Sequence, residues 1–438
     1  MSELREIASS IFRQTISEID VERVTEGVIE RQGGILRIGD DELTIDQYRH
    51  LLVIAIGKAA LPMARAVERR LGELLVIPTA GIIVTNETSR DVPTGFQLFT
   101  GGHPVPNQGS LDAANAALEL LSRSDSEETL VIFLVSGGGS ALFERPVDAS
   151  LTLEDLQEVN RILVGCGAVI GEMNVVRRFL SGVKGGRLAA VSPRSRQVSL
   201  IISDVNDDDL TTVSSGPTLA SSVTREDFDR IVARYGLLER FPAPVASLIR
   251  SGELPGIPTK AESGRQSSYL LMDNREALVR AGRIARQEYN CVVEIATDLV
   301  EGEVEEMANI HLERLASLRD KNPGRMVCLI SGGEVICPVR GDGEGGRNQE
   351  FVLRAILASR FAEVAILSAG TDGIDGRSPA AGAVADQMTL ERAATLRLLP
   401  RDSLERSDSY NLFAPLEAAI IIGPTGNNVR DLRILLTR

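Results

Sequence analysis

Residues 130–142 read LVIFLVSGGGSAL, an apolar run that leads into three consecutive glycines. The unbroken run Leu130–Val135 is typical of a strand that is buried on both faces of a parallel sheet. The glycines after it let the backbone approach a ligand closely and direct N–H groups toward it. A helix beginning there would add partial positive charge, worth ~0.3–1 kcal/mol to a bound anion. The segment therefore predicts a phosphate-binding turn at Ser136–Ser140; the alternative is a tight strand-to-helix turn without a ligand.

Apolar runs of the same kind recur along the chain and alternate with helical patterns such as Leu111–Leu121, Leu153–Ile162 and Glu303–Leu318. This alternation predicts an α/β fold with mostly parallel sheets and helices on both faces. The other candidate strands are Leu51–Ile56, Gly81–Val84, Val198–Ile202, Val292–Ala296, Met326–Ile330, Val364–Leu367 and Ala419–Ile422.

A change in composition between Phe241 and Ser268 marks the candidate domain boundary. The segment contains Pro242, Pro244, Pro255 and Pro258 together with several glycines, and it has few strand signals. Proline and glycine punctuate linkers, so we predict an N-terminal domain at 1–245 and a C-terminal domain at 260–438. An internal loop of one domain is the alternative. In this prediction, the last ~30 residues of the C-terminal domain can pack back on the first domain.

The composition excludes several classes of protein. The 438 residues carry 47 basic and 61 acidic side chains, a formal charge of −14, which argues against nucleic-acid and anionic-membrane partners. The cysteines lack metal-ligand spacing, so reduced thiols in a cytoplasmic protein are expected. No apolar run approaches the ~18–20 residues of a membrane span. The N-terminus predicts an amphipathic helix rather than a signal peptide, because Leu4, Ile7, Ile11 and Phe12 recur at helical spacing.

Two segments of the sequence contain cationic side chains that can bind an anion. Lys58 follows the strand Leu51–Ile56 and precedes a helical pattern, and a solvated lysine is the alternative there. The segment NVVRRFLSGVKGGR at 174–187 contains four cations and no acid, which predicts a local anion site in an acidic chain. A solvated basic face is the alternative. The histidines at 50, 103 and 311 are too scattered for a metal site, and none is placed by the sequence as a general base.

Carboxylates follow a buried strand in the segment SDVNDDD at 203–209. Clustered carboxylates repel one another unless a cation or solvent intervenes, and oxygen ligands suit Mg²⁺. Asp204, nearest the strand, is the strongest metal candidate, and it is also a candidate to accept a substrate proton. The later members, Asp207–Asp209, have a helix N-cap as their alternative role.

The second half of the chain repeats the pattern of polar residues at strand ends. Ser331-Gly332-Gly333-Glu334 ends one strand, and Asp372 and Asp375 follow another. Between them, GDGEGGRNQE at 341–350 is a glycine-rich loop that leads to Arg347 and into a predicted helix. An arginine at the mouth of a cleft can reach a transferring phosphoryl group; a solvated side chain is the alternative.

Taken together, the motifs resemble those of the glycerate 2-kinases of the MOFRL family. The similarity extends from about Ile7 to Leu435. It implies two Rossmann-like α/β/α domains with an active-site cleft between them. The motifs are AIGKAA (55–60), GGHPVPN (101–107), LVSGGGSAL (134–142), NVVRRFLSGVKGGRLA (174–189), SDVNDDDLTTVSSGPT (203–218), ISGGE (330–334), GEGGRNQE (343–350) and TDGIDG (371–376).

The resemblance also implies an activity and a set of site residues. The activity is ATP- and Mg²⁺-dependent phosphorylation of the 2-hydroxyl of D-glycerate, with ATP and D-glycerate as the small-molecule partners and a homodimer as a compatible assembly. One departure lies near the C-terminus, where Gly423–Asn428 reads GPTGNN rather than GPTGTN. The resemblance implies Lys58, Arg347 and Asp204 for catalysis, Ser136, Gly137, Gly138, Gly139 and Ser140 for nucleotide phosphate, and Asp204 and Asp207 for metal. The other predicted site residues are Lys184 and Glu334 for nucleotide and phosphate, and Asn107, Arg178, Arg187 and Asp372 for substrate; the individual roles of Arg178, Lys184 and Arg187 stay open.

Two rival functions remain open at this point. A hydroxypyruvate reductase would need a dinucleotide site, yet the chain reads GKAALPMA after the first predicted strand of the sheet, not GxGxxG. A sugar-acid or nucleotide sensor would bind without turnover, and the presence of both Lys58 and Arg347 argues against it. Incubation with ATP, Mg²⁺ and D-glycerate distinguishes the three functions.

Overall fold

A computed structural model describes residues 2–74, 79–205, 209–258 and 265–438 of the chain. These residues form two compact α/β units. The central unit is Val21–Leu271, and the terminal unit combines Met1–Asp20 with Met272–Arg438. The predicted α/β class is confirmed. In the described residues, no helix has the length and apolar character that crossing a membrane requires.

The regular elements have the following bounds. The helices are α1 Glu3–Glu18, α2 Val21–Gly27, α3 Ala60–Leu74, α4 Gln108–Arg123, α5 Gly139–Leu142, α6 Leu153–Gly165, α7 Ile170–Leu180, α8 Arg187–Ala190, α9 Arg225–Arg234, α10 Ala243–Ser251, α11 Asn274–Tyr289, α12 Val304–Asp320, α13 Arg347–Ala358, α14 Gln387–Thr395, α15 Pro400–Glu405 and α16 Ser409–Phe413, with 3₁₀ turns at Ile45–Gln47, Leu210–Ser215 and Leu237–Glu239. The strands are β1 Ile29–Gln32, β2 Ile35–Ile38, β3 Asp41–Thr44, β4 His50–Ile56, β5 Thr79–Thr85, β6 Phe96–Thr100, β7 Thr129–Val135, β8 Arg196–Ile202, β9 Gln266–Met272, β10 Val292–Ala296, β11 Glu301–Glu303, β12 Val327–Ser331, β13 Glu334–Ile336, β14 Val364–Gly370, β15 Gly382–Asp386, β16 Ala419–Ile420 and β17 Asp431–Thr437.

The main sheet of the central unit has the strand order β6-β5-β4-β7-β8-β9. The pairings from β6 through β8 are all parallel. From β4, the chain first adds β5 and β6 on one side of that strand, and it then adds β7 and β8 on the other side. The strand order therefore reverses between β4 and β7, and ligands of open α/β sheets bind beyond the carboxyl ends of the strands at such a point. Lys58 and the turn Ser136–Ser140 follow the two strands that flank this reversal.

The main sheet of the terminal unit is mixed rather than mostly parallel, which corrects the prediction for this half. Its order is β10-β12-β17-β14-β15-β16, and only the β10–β12 pairing is parallel. The last strand, β17, lies between β12 and β14. This strand is buried on both faces: Leu435 packs in one apolar core with residues of α12 and α13, and Leu436 packs in another with residues of α1 and α11. The expectation that the last residues pack back on the first domain stays a prediction.

The chain also divides at places other than the predicted ones. Residues 1–20 belong to the terminal unit, because the apolar stripe of α1 packs against α11 and the terminal sheet. The described parts of the Pro-rich segment belong to the central unit: α10 packs in its helical core, and β9 lies beside β8. The boundary accordingly falls at Leu271/Met272. The predicted cleft between two domains stays a prediction.

Candidate active site

The loops after β4 and β7 are joined by hydrogen bonds at the point where the strand order reverses. The backbone N–H of Lys58 donates to the carbonyl of Gly137 at 2.9 Å, and that of Ser136 donates to Ile56 at 2.9 Å. The N–H of Ala59 donates to the Ser136 hydroxyl at 3.0 Å. The prediction that Ser136–Ser140 lies at the carboxyl end of a parallel strand is confirmed.

Each of the three glycines is needed where it stands. A Cβ atom on Gly137 would overlap the carboxylate of Asp204, and one on Gly139 would overlap the hydroxyl of Ser214. Gly138 has a left-handed φ of +85°, and a Cβ atom there would lie 3.4 Å from Cε of Lys58. Side chains on Gly137 and Gly139 would therefore collide with neighbouring protein groups, and one on Gly138 would lie beside the Lys58 side chain.

The same turn has donors to offer an anion. In the described part of the chain, no protein acceptor takes the N–H groups of Gly137, Gly138 or Gly139. The helix that follows, α5, has only four residues. The positive charge at this turn therefore comes from the free N–H groups and the Lys58 ammonium more than from a helix dipole.

His103 is a neighbour that the sequence analysis did not place in the site. Its ring carbon Cδ2 would lie 3.5 Å from a Cβ atom on Gly138, on the turn that also contacts Lys58. Partial burial, and then the positive charge of Lys58, lower the pKa of the His103 imidazole. The available signal was the motif GGHPVPN at 101–107, which is part of the family resemblance; the strand β6 that precedes it was not among the predicted strands.

The cations of 174–187 have partners within the protein. The helix α7 ends at Leu180, so Arg177 and Lys184 do not share one continuous helix. Lys184 is 1% exposed and forms an ion pair with Glu144. Burial lowers the pKa of the Lys184 ammonium, and the Glu144 carboxylate opposes this effect.

The two arginines predicted to bind substrate are similarly engaged. Arg178 donates to the carbonyl of Thr211 at 2.6 Å and to the hydroxyl of Ser221 at 3.1 Å. Arg187 donates to the backbone carbonyls of Ser181, Pro255 and Gly256, and burial lowers its pKa to about 10. Direct contacts of Lys184, Arg178 and Arg187 with a ligand therefore stay predictions.

The other site residues predicted for the central unit differ in where the structure places them. Asp204 lies against Gly137, beside the anion-binding turn. Asn107 caps α4, where its side chain accepts the N–H of Ser110 at 3.0 Å. Asp207 lies outside the described residues. No cluster of three or more candidate metal ligands occurs in the described ranges.

In the terminal unit, Arg347 is the first residue of α13 and is held by two carboxylates. Its Nε donates to Asp431 Oδ2 at 2.7 Å, and its Nη2 donates to Asp431 Oδ1 at 2.9 Å and to Glu334 Oε1 at 3.1 Å. Burial disfavours the guanidinium charge, but the hydrogen bonds and charge of Asp431 outweigh burial and raise the pKa of Arg347. Asp431 was not predicted, because it lies 84 residues away in the unrecognised strand β17.

Asp375 fixes the N-terminal end of the same helix, α13. Its carboxylate accepts the backbone N–H of Asn348 at 3.1 Å and that of Gln349 at 2.9 Å, which caps the start of α13. The residue is fully buried, and burial raises the pKa of its carboxyl to about 6 against the effect of these donors. Asp372, on the same loop, accepts the N–H of Ile374 at 3.1 Å.

A cavity of about 520 Å³ opens beside Arg347 within the terminal unit. Its walls combine the glycine-rich loop before α13 with the loop after β14, so the motif around Arg347 and TDGIDG meet in space. The lining includes Val335, Cys337, Val339, Gly343, Gly345, Gly346, Arg347, Glu350, Asp372, Ile374, Asp375, Gly376, Arg377, Ser407 and Ser409.

The fold and these groups define a class. The central unit has a glycine turn and a lysine at the reversal point of a parallel sheet, and the terminal unit has, at a cavity, an arginine that two carboxylates hold. This combination is typical of α/β proteins that bind phosphorylated ligands.

Comparison with known proteins gives the family. A model for a domain of unknown function, DUF4147, matches residues 7–250, and the MOFRL family model matches residues 327–431. The D-glycerate 2-kinase of Thermotoga maritima is 32% identical over 98% of both chains. A putative hydroxypyruvate reductase of Agrobacterium vitis is 36% identical over 88% of this chain and 98% of that one. The crystal structure of glycerate kinase from Thermotoga maritima superposes with a TM-score of 0.84, covering 99% of each chain at 32% identity. The chain belongs to the glycerate 2-kinase family with a MOFRL domain.

Proposed function

We propose that this chain transfers the γ-phosphoryl group of ATP to the 2-hydroxyl of D-glycerate and thereby forms 2-phospho-D-glycerate. The observation that carries the proposal is the turn Ser136–Ser140 at the reversal point of a parallel sheet, where the Lys58 side chain lies beside N–H groups that have no acceptor among the described residues. Phosphoryl transfer depends mainly on positioning and on positive charge around the moving group, and this turn supplies both.

Arg347 is the second cation of the proposed mechanism. Asp431 fixes the plane of its guanidinium through two hydrogen bonds, which leaves Nη1 without a protein acceptor among the described residues. A fixed planar fork recognises phosphoryl oxygens better than a flexible ammonium does. We therefore assign Arg347 to the charge that develops on the phosphoryl group during transfer.

Mg²⁺ fits the residues beside the turn. Asp204 places a carboxylate against Gly137, and Mg²⁺ is typically held by one or two carboxylates with phosphate oxygens and waters. When bound, the ion would neutralise part of the phosphate charge. Asp204 is the residue that would hold it.

A hydroxypyruvate reductase is the second candidate, because some relatives have that name. Dinucleotide enzymes of this fold bind pyrophosphate at the first βα turn of the sheet, through GxGxxG. The corresponding turn after β4 reads Gly57-Lys58-Ala59-Ala60, and the glycine-rich turn follows β7 instead. This arrangement favours the kinase.

The test is a product assay with the purified protein. ATP, Mg²⁺ and D-glycerate should give ADP and 2-phospho-D-glycerate, identified by ³¹P and ¹³C NMR, and EDTA should abolish the reaction until Mg²⁺ is restored. Lys58→Ala should lower kcat by a factor of about 10² or more, as loss of one transition-state contact does. Lys321→Ala, at the exposed end of α12, is the matched control and should keep the wild-type rate.

Three results would contradict the proposal. NADH-dependent reduction of hydroxypyruvate without phosphoryl transfer would identify the reductase. Binding of D-glycerate without turnover would identify a sensor. Formation of the 3-phosphate would show that the regiochemistry is wrong.

A further inference from the structure

The geometry around the glycine turn points to a role for a histidine: we propose that the His103 imidazole accepts the proton of the D-glycerate 2-hydroxyl during phosphoryl transfer. This assignment rests on the proposed kinase function.

The loop that carries His103 is anchored at the same sheet edge as Lys58. It follows β6, and the N–H of Gly101 donates to the carbonyl of Thr85, the last residue of β5, at 2.9 Å. The N–H of Gly102 donates to the Ser110 hydroxyl at 3.0 Å. Gly101 also packs so closely on Leu142 that a Cβ atom there would overlap its backbone. The loop is therefore fixed between β5, α4 and α5.

Gly138 lies between the two side chains that the proposal joins. A Cβ atom on it would be 3.2 Å from Lys58 Cγ and 3.5 Å from His103 Cδ2. His103 is an exposed residue, so its ring is accessible from solvent as well as from the turn. Loops after β4, β6 and β7 thus bring an ammonium, an imidazole and free N–H groups to one place.

Partial burial and a neighbouring charge lower the pKa of the His103 imidazole from its ordinary value. Partial burial and the Lys58 ammonium, which approaches from the loop after β4, both favour the unprotonated ring. The loop Gly101–Asn107 contains no other titratable residue, and neither does α5. Asp204 faces the turn from the loop after β8, across Gly137. A neutral imidazole has a free nitrogen lone pair and can act as a base.

The chemistry of D-glycerate fits this pair of groups. Its carboxylate and its 2-hydroxyl are on adjacent carbons, so a cation that holds the carboxylate brings the hydroxyl close to a neighbouring base. The hydroxyl O–H bond breaks and the proton moves to the imidazole nitrogen. The oxygen forms a bond to the γ-phosphorus of ATP, the bond from phosphorus to the β–γ bridging oxygen breaks, and ADP leaves.

The decisive variant is His103→Gln, and His50→Gln is its matched control. His50 is also exposed, but it is the first residue of β4, at the opposite end of the strand from Lys58. His103→Gln should lower kcat about 10²–10⁴-fold, the usual contribution of a positioned base, with little change in KM for either substrate. The wild-type kcat/KM should fall with decreasing pH on an acid limb below the ordinary histidine value of about 6.5, and His103→Gln should lack that limb. His50→Gln should behave as the wild type.

The outcomes separate this proposal from the kinase proposal. If the wild type does not phosphorylate D-glycerate, the kinase proposal fails. If it does, and His103→Gln keeps both the rate and the acid limb, or loses activity only through KM, His103 is not the base.

A chemical measurement covers the case in which the variant does not fold. Diethyl pyrocarbonate acylates accessible neutral imidazoles, and His311 is fully buried. Treatment of the His50→Gln protein should abolish activity, and D-glycerate should protect it. Retained activity with a modified His103 would overturn the proposal.

Discussion

At the scale of single residues, the contact between Arg347 and Asp431 links the stability of the fold to the proposed catalytic role of Arg347. Asp431 is fully buried, and both of its carboxylate oxygens accept hydrogen bonds from the Arg347 guanidinium. Nη2 of Arg433 lies 3.6 Å from Oδ2 of the same carboxylate. Arg347 therefore neutralises the buried Asp431 carboxylate, and it also lines the cavity beside α13. Changing it alone leaves the carboxylate without its strongest partner, and removing one member of a buried pair is costly.

This arrangement predicts that stability and activity separate in a double variant. Arg347→Ala should lower the free energy of unfolding by about 3 kcal/mol and lower kcat by at least about 10³-fold. Adding Asp431→Asn should restore only part of the stability, because the Asp431 charge is gone but the buried Arg433 then loses its carboxylate partner at 3.6 Å, and it should restore none of the activity. Urea unfolding and steady-state kinetics measure the two quantities. If Arg347→Ala is fully stable, or the double variant regains activity, this account of Arg347 is wrong.

At the scale of elements, the start of α13 depends on a buried carboxylate. Asp375 accepts the first backbone N–H groups of the helix, and its side chain also takes a hydrogen bond from the amide of Gln349 at 3.0 Å. Burial nevertheless raises the pKa of Asp375 to about 6 in the folded protein, above its ordinary value. Between these two pKa values the folded state binds the additional proton, so the contribution of Asp375 to stability grows as pH falls from 7 toward 4.

The corresponding prediction compares Asp375→Asn with the wild type by urea unfolding at pH 7 and pH 5. The stability difference in favour of the wild type should be larger at pH 5. Asp148→Asn is the control: hydrogen bonds from Ser150 lower the pKa of Asp148, so this carboxyl is ionised in the folded and unfolded states at both pH values and its contribution should be the same at pH 7 and pH 5. A pH-independent difference for Asp375→Asn would contradict the raised pKa.

At the scale of the whole molecule, the two ends of the chain build one unit. The helix α1 packs Phe12, which has no exposed surface, into the core formed by α11, β14 and β17. The N-terminal residues should therefore stabilise the unit that contains Arg347. A division of the chain at the predicted domain boundaries would separate them from it.

Phe12→Ala should thus destabilise the protein by about 3–5 kcal/mol, the usual cost of truncating a buried aromatic side chain. Differential scanning calorimetry and urea unfolding measure the effect. Arg13→Ala, a change at the exposed neighbour on the same helix, is the control and should shift stability by no more than about 0.5 kcal/mol. A Phe12→Ala protein as stable as the wild type would show that α1 is dispensable.

The sequence by itself determined the four inner strands of the central sheet, β4, β5, β7 and β8, and the glycine turn that follows β7. The apolar runs 51–56 and 130–135 and the glycines 137–139 are local signals, since buried parallel strands and tight backbone approach each require a particular residue type at each position. Tertiary structure alone decided the rest. The strand β17 carries the buried Arg433 and Asp431 within its pattern, so its central place was not visible in the chain, and α1 could have covered either core. Likewise, His103 reaches Gly138, and Asp431 reaches Arg347 across 84 residues, only because strand pairing brings distant loops together. Local propensity favours elements, but the burial of their apolar faces against distant partners decides which strand ends, and therefore which charges, meet.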